Sequence, residues 1–100
     1  MIEVRQTELF ANWLRKLRDE KARARIQIRI RRLSLENFGD VKPVGEGVSE
    51  LRIDYGPGYR VYFQQIGDVV VLLLIGGTKK TQEADTAKAK KLAKEVQNGT

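Results

Sequence analysis

The sequence contains no cysteine, no histidine, only two prolines, and no long apolar run. Without cysteine there are neither disulfides nor thiolate metal sites, and the chain needs no oxidising compartment. Without histidine it lacks the commonest metal ligand and the side chain whose unperturbed pKa best suits acid-base work near neutrality. No metal and no small-molecule cofactor are therefore expected, and any catalysis falls to Arg, Lys, Tyr or carboxylates. No segment approaches the roughly 20 apolar residues of a membrane span. Met1 to Glu8 also has no apolar core of the kind a signal peptide needs. A cytoplasmic protein with no membrane partner is the expectation.

Positive charge is plentiful: 19 Lys and Arg stand against 13 Asp and Glu in 100 residues, for a net charge of +6. Such a balance favours a polyanionic partner through attraction to phosphates and release of their counterions, with nucleic acid first and an acidic protein second. A cationic solubilised surface gives the same balance. With 41% hydrophobic residues the chain can close one modest core, and no internal repeat or low-complexity stretch divides it. One domain over residues 1–100 is expected.

A short strand over Ile2 to Arg5 opens the chain. Thr7 then suits an N-cap with Glu8 in the first turn, and Phe10, Trp13, Leu14 and Leu17 share one helical face. Lys21 to Phe38 reads two ways. Ala22, Ala24, Ile26, Ile28 and Ile30 alternate as in a half-buried strand, whereas Ala22, Ile26, Ile30 and Leu33 step by four, four and three. Helix is preferred, because the segment is long for a strand and Gly39 suits a helix C-terminus. Ala24, Ile28 and Leu35 then form a second stripe on its far side, open to a partner or a second copy. Four strands follow, Val41 to Val44, Val48 to Asp54, Tyr59 to Gln65 and Val69 to Ile75, with turns at Tyr55-Gly56-Pro57-Gly58 and Gly67-Asp68. The continuously apolar last strand should be covered on both faces. Thr81 can cap a final helix with Ala89, Leu92, Ala93 and Val96 inward. The class is α+β: an N-terminal helical hairpin on a twisted, mainly antiparallel sheet of three to five strands, with a C-terminal helix.

Period two collects the candidate chemistry. Leu51 and Ile53 point one way, and Glu50 and Arg52 the other. Across the hairpin, Tyr59, Val61 and Phe63 share one face, which leaves Arg60, Tyr62 and Gln64 opposite. If the first two helices cover the apolar face, the polar face lies open or partly roofed, and Lys79 and Lys80 arrive at the end of the last strand. Two arginines and two lysines would then converge on a phosphate. An ordinary cross-strand ion pair of Glu50 with Arg52 or Arg60 competes with that reading. Gly76-Gly77-Thr78-Lys79-Lys80-Thr81 could hold an anion on backbone N–H groups, but it lacks P-loop spacing. In the basic run Arg23 to Arg32, Arg29 and Arg32 are candidates for nucleic-acid phosphates, as is Lys42. A solvated helix face explains the run equally well.

Three motifs in order, Glu50-Leu51-Arg52-Ile53, Gly56 to Phe63, and Gly76 to Gln82 leading into Ala87 to Ala93, resemble the RelE/ParE toxin superfamily, among them the addiction-module killer proteins close to HigB. The resemblance spans nearly the whole chain. It implies the toxin of a two-gene module, neutralised by a cognate, DNA-binding antitoxin. It also implies action on the ribosome, where typical members cleave mRNA. Arg60, Arg52 and Lys79 or Lys80 are the residues such a family assigns to phosphate chemistry. In this reading the arginines stabilise the transition state, Lys79, Lys80 or Glu50 is a possible base, and Tyr62 is an acid or a stacking surface. The pattern commonly has Asp at the place of Thr78 and Ile at that of Thr86, so a carboxylate is missing near the site and the last helix has a weaker apolar stripe. The alternative function is non-enzymatic inhibition of DNA gyrase in the manner of the ParE branch, because fold does not fix function. A harmless basic RNA-binding module is a third.

Overall fold

A computed structural model describes residues 1–97. The elements run β1 (Glu3–Gln6), α1 (Glu8–Lys16), α2 (Glu20–Ser34), β2 (Val41–Gly45), β3 (Val48–Ile53), β4 (Tyr59–Ile66), β5 (Val70–Thr78), a 3-10 turn (Lys79–Thr81) and α3 (Gln82–Gln97). The five strands form one sheet in the order β1-β5-β4-β3-β2, antiparallel except for β1, which lies parallel to β5. The expected α+β architecture is present.

Helices α1 and α2 start where their cap chemistry says they should. The Thr7 side chain accepts a hydrogen bond from Phe10 N for α1, and Asp19 accepts one from Ala22 N for α2. The second segment is helical, and the competing strand reading falls. Its end differs from the expectation. The helix stops at Ser34, and Glu36, at φ +66°, occupies the left-handed position, with Glu36 N bonded to Leu33 O at 2.9 Å and Asn37 N to Arg32 O at 2.9 Å. Gly39 lies beyond the cap. There its missing side chain admits the Arg29 guanidinium, since a Cβ would stand 3.0 Å from an Arg29 terminal nitrogen.

Both faces of the sheet are packed. Helices α1 and α2 cover one face over Phe10, Ile26, Leu33, Leu51, Val61 and Phe63. Helix α3 covers the other over Val48, Tyr62, Leu74, Ile75, Ala89 and Ala93. Strand β5 serves both cores by alternation, and a bulge adds a residue to one of them. Tyr62 pairs with Ile75 and Phe63 with Leu73, so Leu74 is the extra residue, and Leu74 and Ile75 both join the α3 side. The face expected to lie open or partly roofed is therefore a second core, with Glu50 and Tyr62 at 0% exposure and Gln64 at 3%. The expected outer stripe of α2 is exposed, at 49% for Ile28 and 54% for Leu35.

Candidate functional site

Strands β3 and β4 set the two arginines directly across from one another, in the register Arg52 with Arg60 and Glu50 with Tyr62. Two guanidinium groups in that relation repel unless a carboxylate stands between them. Glu50 supplies it: Oε1 lies 3.3 Å from Arg60 Nε and 3.5 Å from Arg52 Nε. Its other oxygen, Oε2, accepts a hydrogen bond from Gln82 Nε2 at 2.9 Å, from the first residue of α3. A fully buried carboxylate would be costly without such partners.

The Tyr55 to Gly58 turn holds in place the site's third cation, Lys79, which opens the 3-10 turn after β5. Gly58, at φ +78°, has no side chain to push away its neighbours, since a Cβ there would meet Lys79 Cβ at 3.3 Å and an Arg60 terminal nitrogen at 3.4 Å. Its carbonyl accepts Lys79 N at 2.8 Å. Arg52, Arg60 and Lys79, with Asp40, Asp54, Gly56, Pro57 and Gly58, thus line a cleft of about 380 Å³ at one end of the sheet. Arg60 is buried along its length and Arg52 is half-exposed. The cleft offers fixed positive charge and two carboxylates, which suits a phosphodiester with a nearby proton to remove.

The remaining expected residues are placed as follows. Lys80 lines a different groove with Lys79, Gln82, Glu83 and Thr86. Glu50 and Tyr62 lie behind the cleft, with no exposed surface. The Tyr62 hydroxyl donates to Gln82 O at 3.4 Å. Burial pushes its pKa above the ordinary tyrosine range; a hydrogen bond with Thr86 opposes the shift, Glu50 and Asp85 add to it, and Arg60 counters it. Thr86 therefore gives the phenol a polar partner as well as interrupting the helix's apolar stripe. Lys42 is exposed on β2, across from Glu50. Arg29 donates to the carbonyls of Arg52 at 2.5 Å, Asp40 at 3.3 Å and Phe38 at 3.4 Å, and burial lowers its pKa. Its guanidinium thus ties α2 to the cleft wall. Arg32 is exposed and lines a groove of about 310 Å³ with Arg25, Ile28, Arg29, Ile53 and Asp54.

The glycines before Lys79 do not form an anion-binding loop. Gly76 and Gly77 are the end of β5, and each is a close approach: a Cβ would lie 2.2 Å from Trp13 Cε3 at Gly76 and 1.9 Å from Asp85 Oδ2 at Gly77. Asp40, Asp54 and Gln82 were not among the expected residues. Asp54 stands two residues after Arg52, just past the end of β3, so period two already pointed to it. Asp40 and Gln82 reach the site only through tertiary packing.

Fold and cleft together define a small α+β protein with a cationic cleft at one end of a sheet whose second face is covered by the last helix. The family model described as phage derived protein Gp49-like (DUF891) matches residues 12–97, and the chain belongs to that family, which is one of RelE/ParE-like toxins. A protein of Haemophilus influenzae strain Rd, carrying the name "Uncharacterized protein", is 50% identical over 95 residues, covering 95% of this chain and 96% of its own length. Neither match assigns the chain to HigB. Among the described residues no helix is long and apolar enough to cross a membrane.

Proposed function

We propose that this protein is the toxin of a toxin-antitoxin pair, close to HigB in action, and that it cuts mRNA on the ribosome. The observation that carries the reading is the convergence of Arg52, Arg60 and Lys79 on one cleft. In this reaction the RNA 2′-oxygen attacks the adjacent phosphorus and the 5′-oxygen leaves, taking a proton from solvent water, which gives a 2′,3′-cyclic phosphate and a 5′-OH. Arg52 and Arg60 hold the phosphoryl oxygens through bidentate contacts as negative charge builds, and Lys79 adds a third donor. Of the groups lining the cleft, the carboxylates of Asp40 and Asp54 are acceptors for the 2′-OH proton. The ribosome supplies the orientation that a site without histidine lacks. Lys42 and Arg32 contact nucleic-acid phosphates outside the cleft, and a cognate DNA-binding antitoxin masks this surface.

Induced expression in bacteria, with and without Arg60→Ala, followed by primer extension on a translated mRNA, tests the reading. In-frame cuts made only by the wild type are expected. Growth arrest without cuts would overturn mRNA cleavage in favour of gyrase inhibition, which induces the DNA-damage response. Harmless expression would remove the toxin reading itself.

A further inference from the structure

Glu50, the candidate base among the buried residues, has one oxygen hydrogen-bonded to the protein and the other, buried without a hydrogen bond, held only by ion-pair contacts. Oε1 lies within ion-pair distance of Arg52 Nε and Arg60 Nε, and Oε2 takes the Gln82 amide at 2.9 Å. Glu50 is wholly buried, so no water competes for these contacts. Gln82 is itself fixed from several sides. It opens α3, its carbonyl accepts the Tyr62 hydroxyl at 3.4 Å, and the turn before it is tied by Thr81 Oγ1 donating to Asp85 Oδ2 at 2.5 Å. Asp85 fits there because Gly77 has no side chain.

We infer that Gln82 and Glu50 form a buried brace that sets the aim of Arg52 and Arg60, with Gln82 a positioning residue acting through Glu50. The inference rests on the mRNA-cleavage reading. A carboxylate facing two arginines has more than one way to sit. If Oε2 is held from α3, Oε1 has only the position between the two guanidinium groups. Without the Gln82 amide, Glu50 is free to rotate toward either arginine, and the pair that should grip one phosphate loses its common alignment. Misplacement on the scale of about 1 Å at a reacting centre costs about a hundredfold in rate.

The test is a double-mutant cycle on single-turnover cleavage of a ribosome-bound mRNA, using the full chain. Gln82→Met keeps the length and the helix propensity while removing the donor, and Glu50→Gln keeps the shape while removing the charge. The expected result is a loss of about ten- to a hundredfold for Gln82→Met in the wild-type background, as for losing a hydrogen bond to a charged group. In the Glu50→Gln background the same change should cost less than about twofold, because the route through which it acts is gone. Equal losses in the two backgrounds, or full activity in Gln82→Met, would overturn the brace. Thermal melts of all four proteins guard the cycle against simple unfolding. A readout apart from cleavage is proton exchange at Arg60 Nε followed by NMR. Exchange should be slow in the wild type and faster in Gln82→Met, and no change overturns the brace even where cutting is impaired. If the wild type does not cut mRNA, the cleavage reading fails and takes with it the brace's role in aiming the arginines.

Discussion

Trp13 lies against the backbone of Gly76, and that contact makes a sharp prediction for Gly76→Ala. An added Cβ would stand 2.2, 2.3 and 2.4 Å from Cε3, Cζ3 and Cδ2 of the indole. Carbon atoms in contact settle at about 3.5 to 4.0 Å, so the ring or the strand must retreat by more than about 1 Å. Gly76 has no positive φ, so alanine suits its backbone and the cost is steric. Retreat of the ring also breaks its packing on Phe10, 5.7 Å away between centroids, and on Tyr59, 6.2 Å away. Overpacking of this kind costs about 3 kcal/mol. With a urea m-value of about 1.5 kcal/mol/M, the unfolding midpoint should fall by about 2 M, and the melting temperature by about 12 to 24 °C. Trp13 is the only tryptophan, so its emission follows both the unfolding and any expulsion of the ring from the native state. In a Trp13→Leu background, followed by circular dichroism, the penalty should shrink to less than about half. A midpoint within about 0.3 M of the wild type, or a penalty undiminished without the indole, would refute the argument.

Arg29→Ala should lower stability by about 2 kcal/mol in urea unfolding, because the guanidinium bonds three backbone carbonyls that tie α2 to β3 and to the loop between α2 and β2. A purely RNA-binding arginine would leave the midpoint unchanged. Tyr62 has a folded-state pKa raised above its ordinary value of 10.0, chiefly by burial. Its contribution to stability is therefore fully present below that value and is lost as pH rises through the higher folded-state value. Wild-type stability should accordingly fall more steeply above about pH 10 than that of Tyr62→Phe, and equal slopes in urea titrations at several pH values would contradict the shift. Lys79→Ala should slow ribosome-dependent cleavage by about a hundredfold and Lys80→Ala by less than about threefold, since Lys79 alone of the two lines the cleft with both arginines. Equal losses in single-turnover assays would show that the cleft geometry does not rank them.

Period two made the arginines legible. From Glu50 to Ile53 and from Tyr59 to Val61 polar and apolar residues alternate, so Arg52 and Arg60 share a face whatever covers it, and the short turn between the strands brings them opposite. The same rule fails in β5. There every residue from Val69 to Ile75 is apolar, and alternation cannot register the extra residue at Leu74. That hidden bulge turns Leu74 and Ile75 together toward α3 and, with Val48 and Tyr62, makes a second apolar floor on the face that looked polar. Helix α3 reaches this floor with small side chains, Ala89 and Ala93, whose weak hydrophobic signal understates how closely a helix can lie on a sheet. The end of α2 was obscured for a different reason. Glu36 takes the left-handed position that glycine usually fills, while the nearby Gly39 makes room for Arg29.

Roofing changes what the charged residues are for. On an open sheet Glu50 would be one more solvated partner in a surface ion pair of little energy. Under α3 it is an anion without water, and its burial is tolerable only because two arginines and an amide surround it. The arginines gain in turn, because their stems are fixed by the sheet and their inner sides by Glu50, leaving the outer sides to the cleft. A catalytic grip on a phosphate needs donors that do not reorganise as charge develops. In this chain that rigidity comes from the second core, so the helix that hides half of the polar face is also what makes the exposed half fit for chemistry.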